Sequence, residues 1–111
     1  MMTRLEEAAN RLVEYELADA AEKHGARFHS VHEGYGVLME EVMEAEAEAA
    51  CISQLTDKTL LRYTQAAADG HDGVLKSRLR TLLRVAIKAA CEYIQVAAMA
   101  KKMMESGVEN E

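Results

Sequence analysis

Ala89-Ala90-Cys91-Glu92-Tyr93-Ile94-Gln95-Val96-Ala97-Ala98-Met99-Ala100 carries a single charge, Glu92, and its setting decides the fold class. It lies within a longer stretch, from about Val74 to Glu105, where Leu75, Leu79, Leu82, Leu83, Ala86, Ile87, Ala90 and Ile94 are spaced for one broad apolar helical face. A helix that is apolar nearly all round needs neighbours on several sides. This segment is therefore expected to be the central element of an all-α, antiparallel helical bundle.

Working outward, the turn Asp69-Gly70-His71-Asp72-Gly73 is the clearest break in the chain. Before it, a short helix over about 57–68 is expected, capped by Thr56 or Asp57, because the apolar pattern falters between Gln54 and Lys58. A longer helix over about 31–52 carries Val31, Tyr35, Leu38, Val42, Ala45, Ala49 and Ile52 on one side, in spite of Gly34 and Gly36 in its opening turns. Ser30 with Glu33 gives it a capping-box start, and Thr3 with Glu6 gives the same signal for a first helix over about 3–24 that ends at Gly25. The core stripe of that first helix reads Leu5, Ala8, Ala9, Leu12, Val13, Leu17 and Ala20. The tail from Val108 to Glu111 is expected to fray. One domain over residues 1–111 accounts for all of these elements.

Composition agrees with helix throughout. There is no proline, 19 residues are alanine, and five are aromatic. Small side chains let helices approach closely but bury little area each, so a second copy of the chain is expected to complete the core as a homodimer, or a homotetramer built from dimers. The net charge of −6 disfavours nonspecific binding to nucleic acid or anionic membranes. No stretch approaches the roughly 18 to 20 uncharged apolar residues of a membrane span, and the opening MMTRLEEAAN lacks a signal-peptide apolar region, so a cytoplasmic protein is expected. Cys51 and Cys91 show no metal-binding spacing and are read as small buried apolar residues.

Chemistry is concentrated in a few acids. Glu40, Glu41 and Glu44 stand at i, i+1 and i+4, and at about 100° per residue they share one flank of their helix. Such like charges repel, and a hard divalent cation that prefers carboxylate oxygens relieves the repulsion. A plain solvated acidic face, continuing through Glu46 and Glu48, is the alternative. Glu92 tips the balance, because an ionised carboxylate in the most apolar helix costs several kcal/mol unless a cation, a proton or a salt bridge compensates it. Its compensation is either a pair with Lys88 or Arg84, or a metal shared with the three acids across the bundle. Lys76, Arg80, Arg84 and Lys88 recur every fourth residue, a stripe suited to phosphate oxygens or simply to solvent. His24, His29, His32 and His71 have no metal-ligand spacing. His32, in the first turn of its helix, joins Arg84 and Lys88 as a candidate substrate contact.

The segment from His29 to Glu44, with Glu40-Glu41-Val42-Met43-Glu44 at its end, and the later block from Glu92 to Ala100 also resemble a known family. They are similar to the MazG-like branch of the all-alpha nucleoside triphosphate pyrophosphohydrolases, many of which occur in phages and prophages. The likeness spans Gly25 to Met103 and is carried by these two blocks, not by the stretch from Ala45 to Arg84. It implies a magnesium site, with manganese as a substitute, built from EExxE on one helix and ExxD on a later one. Glu40, Glu41 and Glu44 match the first motif and Glu92 the first acid of the second, while Gln95 stands where aspartate is usual. An amide can ligate through its carbonyl oxygen but brings no charge. The implied reaction converts a nucleoside or deoxynucleoside triphosphate and water to the monophosphate and pyrophosphate. Glu41 and Glu44 would be the foremost ligands, with Glu40 a further ligand or the general base. The alternative is a weak or inactive module of the same fold that binds nucleotide, metal or a protein partner. A P-loop mechanism is excluded, since no glycine-rich loop with lysine is present.

Overall fold

Two polar residues set the first two helix starts in the computed structural model, which describes residues 1–69 and 73–107. Thr3 Oγ1 accepts from the Glu6 N–H at 3.1 Å and the Glu6 carboxylate accepts from the Thr3 N–H at 3.2 Å, a complete capping box that opens α1, Arg4–His24. Gly25 ends it at φ 89°, its N–H bonded to the Ala21 carbonyl at 2.9 Å, a conformation that glycine adopts without strain. Ser30 Oγ accepts from the Glu33 N–H at 3.1 Å at the start of α2, Val31–Asp69. Here the Glu33 carboxylate reaches one residue further back, to the His29 N–H at 3.4 Å. The third helix, α3, is Gly73–Glu105. The described residues contain these three helices and no strand. The expected turn at 70–72 and the tail 108–111 lie outside them.

The separate helix expected over 57–68 does not exist as such, because α2 runs unbroken for 39 residues. The inward line that seemed to falter is carried through by Thr59, which is buried and donates its hydroxyl to the Leu55 carbonyl at 2.7 Å. A threonine satisfied within its own helix packs as a small apolar residue. With no glycine or proline from Val37 to Asp69, nothing else interrupts the turn-to-turn bonding.

Both α1 and α2 pack on α3, which places the apolar helix where its pattern predicted. The contact is built on small residues. Ala45, Ala89, Ala98 and Val13 are buried, Ala45 and Ala98 with no exposed surface, and among the described residues no large side chain is fully enclosed. At about 1.5 Å per residue α1 is little more than half as long as α2, so it covers only one end of a body measuring 61 × 28 × 27 Å. The broad stripes read from the sequence are therefore only partly covered. Leu5, Leu12, Tyr35, Leu79, Leu83 and Ile87 are exposed, since three helices give each face too few neighbours. Cys51 and Cys91 are exposed free thiols, not core residues, because the inward positions beside them are taken by Ile52 and by Ala89 and Glu92. Among the described residues no helix is long and apolar enough to cross a membrane.

Gly34 has a packing reason. It is buried, and a Cβ there would stand 2.9 Å from Phe28 Cδ2 and 3.1 Å from Met103 Cγ, whereas one at Gly36 would meet nothing within 4 Å. Gly34→Ala is expected to lose about 1 kcal/mol net, overcrowding of roughly 1 to 3 kcal/mol outweighing a helix-propensity gain of up to about 1 kcal/mol. Gly36→Ala should show the gain alone. Urea unfolding of both variants checks this, and stabilisation by Gly34→Ala would mean that the ring of Phe28 yields freely.

Candidate functional site

Position on α2 decides which acids meet α3. The inward line of α2 runs through Gly34, Leu38, Glu41 and Ala45, spaced four, three and four residues apart, so Glu41 follows the buried side of the helix. On α3 the corresponding line includes Ala89, Glu92, Gln95, Met99 and Lys102. Packing these two lines together brings carboxylate oxygens of Glu41, Glu44 and Glu92 within 4.8 Å of one another, with Glu41 and Glu92 half-buried and Glu44 exposed.

Crowding and burial act on Glu41 in the same direction. Its pKa is raised above the ordinary 4.5, first by loss of solvent and then by Glu44, Glu92, Glu40 and, from α1, Glu16. Some of the repulsion is met by Gln95. In the amide orientation that satisfies it, the Gln95 nitrogen donates to Glu41 Oε2 at 3.1 Å and Glu92 Oε2 at 3.2 Å. The amide thus bridges the two acids through its N–H groups and would have to turn over to ligate a cation through its oxygen.

Other expected partners fall elsewhere. Glu40 is exposed and outside the triplet, because its neighbour Glu41 takes the inward position about 100° round the helix. Lys88 pairs across the hairpin with Glu48 at 3.1 Å, and that carboxylate holds the Lys88 pKa above its ordinary value. Within α3, Lys88 precedes Glu92 by four residues, the less favourable order for an ion pair along a helix. Arg84 and His32 are exposed, and neither lines the pocket described next.

A pocket of about 490 Å³ opens beside the triplet, sharing Glu41 with it and lined also by the bridging Gln95. Its other walls come from all three helices and the α1–α2 connection, with Glu16 and Asp19 from α1, Phe28 from the connection, Val37 from α2, and Met99 and Lys102 from α3. The connection is latched to the end of α3 by the Phe28 N–H, which donates to Ser106 Oγ at 3.0 Å, and by Ser106 Oγ, which donates to the Lys102 carbonyl at 2.7 Å. Glu14 pairs with Lys101 to tie α1 to the same end of α3. Sequence reading missed Glu16, Phe28 and Lys102. Lys102 alone had a legible signal, since it falls on the inward line of α3 ten residues after Glu92.

The triplet suits a hard cation. Octahedral magnesium, with oxygens at roughly 2.0 to 2.1 Å, needs neighbouring ligand oxygens roughly 3 Å apart, a closure that glutamate rotamers can supply. Protonation of Glu41 or the Gln95 bridge relieves the same repulsion without a metal. Comparison of the chain with protein-family models, with curated proteins and with solved structures gives no match.

Proposed function

We propose that the chain is a magnesium-dependent nucleoside triphosphate pyrophosphohydrolase of the MazG-like kind. The observation that carries the reading is the convergence of Glu41, Glu44 and Glu92 from two helices at the edge of a pocket large enough for a small ligand. The similarity of the Glu40–Glu44 and Glu92–Gln95 motifs to that family gives the reaction. Glu41, Glu44 and Glu92 would hold the cation, which when bound would neutralise the triphosphate oxygens and make the α-phosphorus more electrophilic. Water attacks that phosphorus, the bond to the β-bridging oxygen breaks, and pyrophosphate leaves. Glu40, beside the triplet but not in it, would accept the proton of the attacking water. Gln95 holds Glu41 and Glu92 in position and supplies no charge. A homodimer, or a tetramer of two such dimers, covers the apolar face that one chain leaves open.

The deciding experiment is a screen of canonical and modified nucleoside triphosphates with magnesium or manganese, with monophosphate, diphosphate and pyrophosphate separated by chromatography. Monophosphate plus pyrophosphate is the expected product pair. Nucleoside diphosphate plus phosphate would place the cleavage at the wrong linkage. No turnover from folded protein would favour the second reading, a weak or inactive binding module. Gln95 is the specific observation behind that reading, because its amide nitrogen faces the carboxylates where a fourth acid would add charge. Gln95→Asp is then expected to raise turnover about tenfold or more, the scale on which residues supporting metal ligands act. An unchanged or lower rate in a folded variant would remove Gln95 as the limiting feature.

A further inference from the structure

The pocket contains a cation, Lys102, that forms no salt bridge among the described residues. Lys102 is 5% exposed and lines the pocket, and its Nζ lies 4.3 Å from the centre of the Phe28 ring. Among the described residues that ring is the ammonium's only partner. A ring face meets part of the charge, and the nitrogen, which is not fully enclosed, turns its remaining N–H donors to the solvent of the pocket. A ligand acceptor that enters the pocket takes the place of that water.

The surroundings restrict its chemistry. Glu16, Asp19, Glu33 and Glu41 share the walls with only two cationic side chains, Lys23 and Lys102, so an anionic group entering beside Lys102 without a metal meets net negative charge. A neutral carbonyl oxygen accepts from the ammonium without that penalty. Phe28, Val37 and Met99 offer apolar surface alongside, which suits a flat ring. Because Glu41 borders both the acid triplet and the pocket, phosphates at the triplet place the base of the same nucleotide in the pocket.

We propose that this pocket receives a nucleobase with a ring carbonyl, either a pyrimidine-2,4-dione or a 6-oxopurine, and that Lys102 selects it by donating a hydrogen bond to the exocyclic oxygen. The assignment rests on the nucleotide reading above. An exocyclic amine at the same point sets donor against donor, leaving both unsatisfied.

Matched nucleosides test it without metal or turnover. Uridine against cytidine and inosine against adenosine differ at one exocyclic group and in the protonation of the ring nitrogen beside it, and their binding is measured by isothermal titration calorimetry. The oxo member of at least one pair is expected to bind about 10- to 100-fold more tightly, the range for a hydrogen bond from a charged donor. Which pair responds separates the pyrimidine from the purine. Lys102→Met keeps the stem and should erase the preference, and Lys102→Arg should retain part of it. Equal affinities within both pairs, no nucleoside binding at millimolar concentration, or an unchanged preference in folded Lys102→Met would each overturn the proposal. If Lys102→Met does not fold, the wild-type pairs and Lys102→Arg decide. Oxo-selective binding without hydrolysis of any triphosphate would sink the enzyme reading and leave the pocket assignment standing. Hydrolysis with no base preference would do the reverse.

Discussion

Glu41→Gln is expected to abolish magnesium-dependent hydrolysis and, in the absence of metal, to raise the thermal midpoint of the protein. The two effects have one cause. Glu41 carries a raised pKa because it is partly buried and because four other acids surround it. The folded chain therefore holds a proton at this site more tightly than the unfolded chain does. When the native state binds more protons, stability falls as pH rises, here from the ordinary value of 4.5 up through the raised one. At neutral pH the ionised carboxylate is a net cost in the metal-free fold. Glutamine keeps the shape, removes the charge, and leaves Gln95 a carbonyl to bond.

Under the proposed function, bound magnesium would reverse the balance for the wild type. A ligand that binds only the native state at a hundred times its Kd adds about 2.7 kcal/mol, and Glu41→Gln forfeits most of that gain with one of the charged ligands. Turnover should fall by at least about 100-fold, given that the metal supplies several kcal/mol of transition-state stabilisation. Differential scanning calorimetry at neutral and acid pH, with and without magnesium, accompanies the rate assay. The metal-free advantage of the variant should close as the pH drops toward 4.5. Persistent turnover would remove Glu41 from the metal site. A metal-free midpoint below that of the wild type would show that Glu41 contributes more through packing or hydrogen bonding than it costs through charge.

Local chemistry in the chain was readable in proportion to its sequence range. Thr3 with Glu6, Ser30 with Glu33, and Gly25 act within four residues, and each marks a helix boundary in the fold. The false break near Gln54 arose because a polar threonine is scored as a surface residue, whereas Thr59 satisfies its hydroxyl within the helix and packs inward. Glu40 was grouped with Glu41 because both flank Glu44. The line Gly34, Leu38, Glu41, Ala45 already discriminated between them, since Glu41 falls on it and Glu40 lies about 100° round the helix from it, on the exposed side. The pairing of Lys88 with Glu48, the reach of Glu16 from α1 and the approach of Phe28 to Lys102 depend on how three helices settle against each other, which no periodicity specifies.

That same settling leaves α3 with an uncovered stripe, and from it comes the other large effect. Leu79, Leu83, Ala86, Ala90, Tyr93 and Ala97 are all exposed and follow one another at intervals of four, three, four, three and four residues, the spacing of a helix seam that meets a second helix. Alanines at its middle permit close approach. Leu83 is 63% exposed and Ile87 57%, so each has most of its surface left to bury. The chain is therefore expected to sediment as a dimer whose midpoint rises with protein concentration. In a two-fold interface every substitution is made twice. At roughly 1.5 to 3 kcal/mol per large apolar side chain, Leu83→Ala then costs up to about 3 to 6 kcal/mol, raising the dimer dissociation constant by as much as roughly 10² to 10⁴-fold. Leu83→Glu, which also brings two like charges together, should give monomers at every accessible concentration. Helical content should persist, because Leu83 makes little contact within its own chain. Sedimentation equilibrium reads the result directly. A wild-type monomer at high concentration would mean that the stripe is covered by something other than a second copy, and a dimer indifferent to Leu83→Glu would place the interface on the exposed apolar residues of α2, around Leu60, Leu61 and Tyr63.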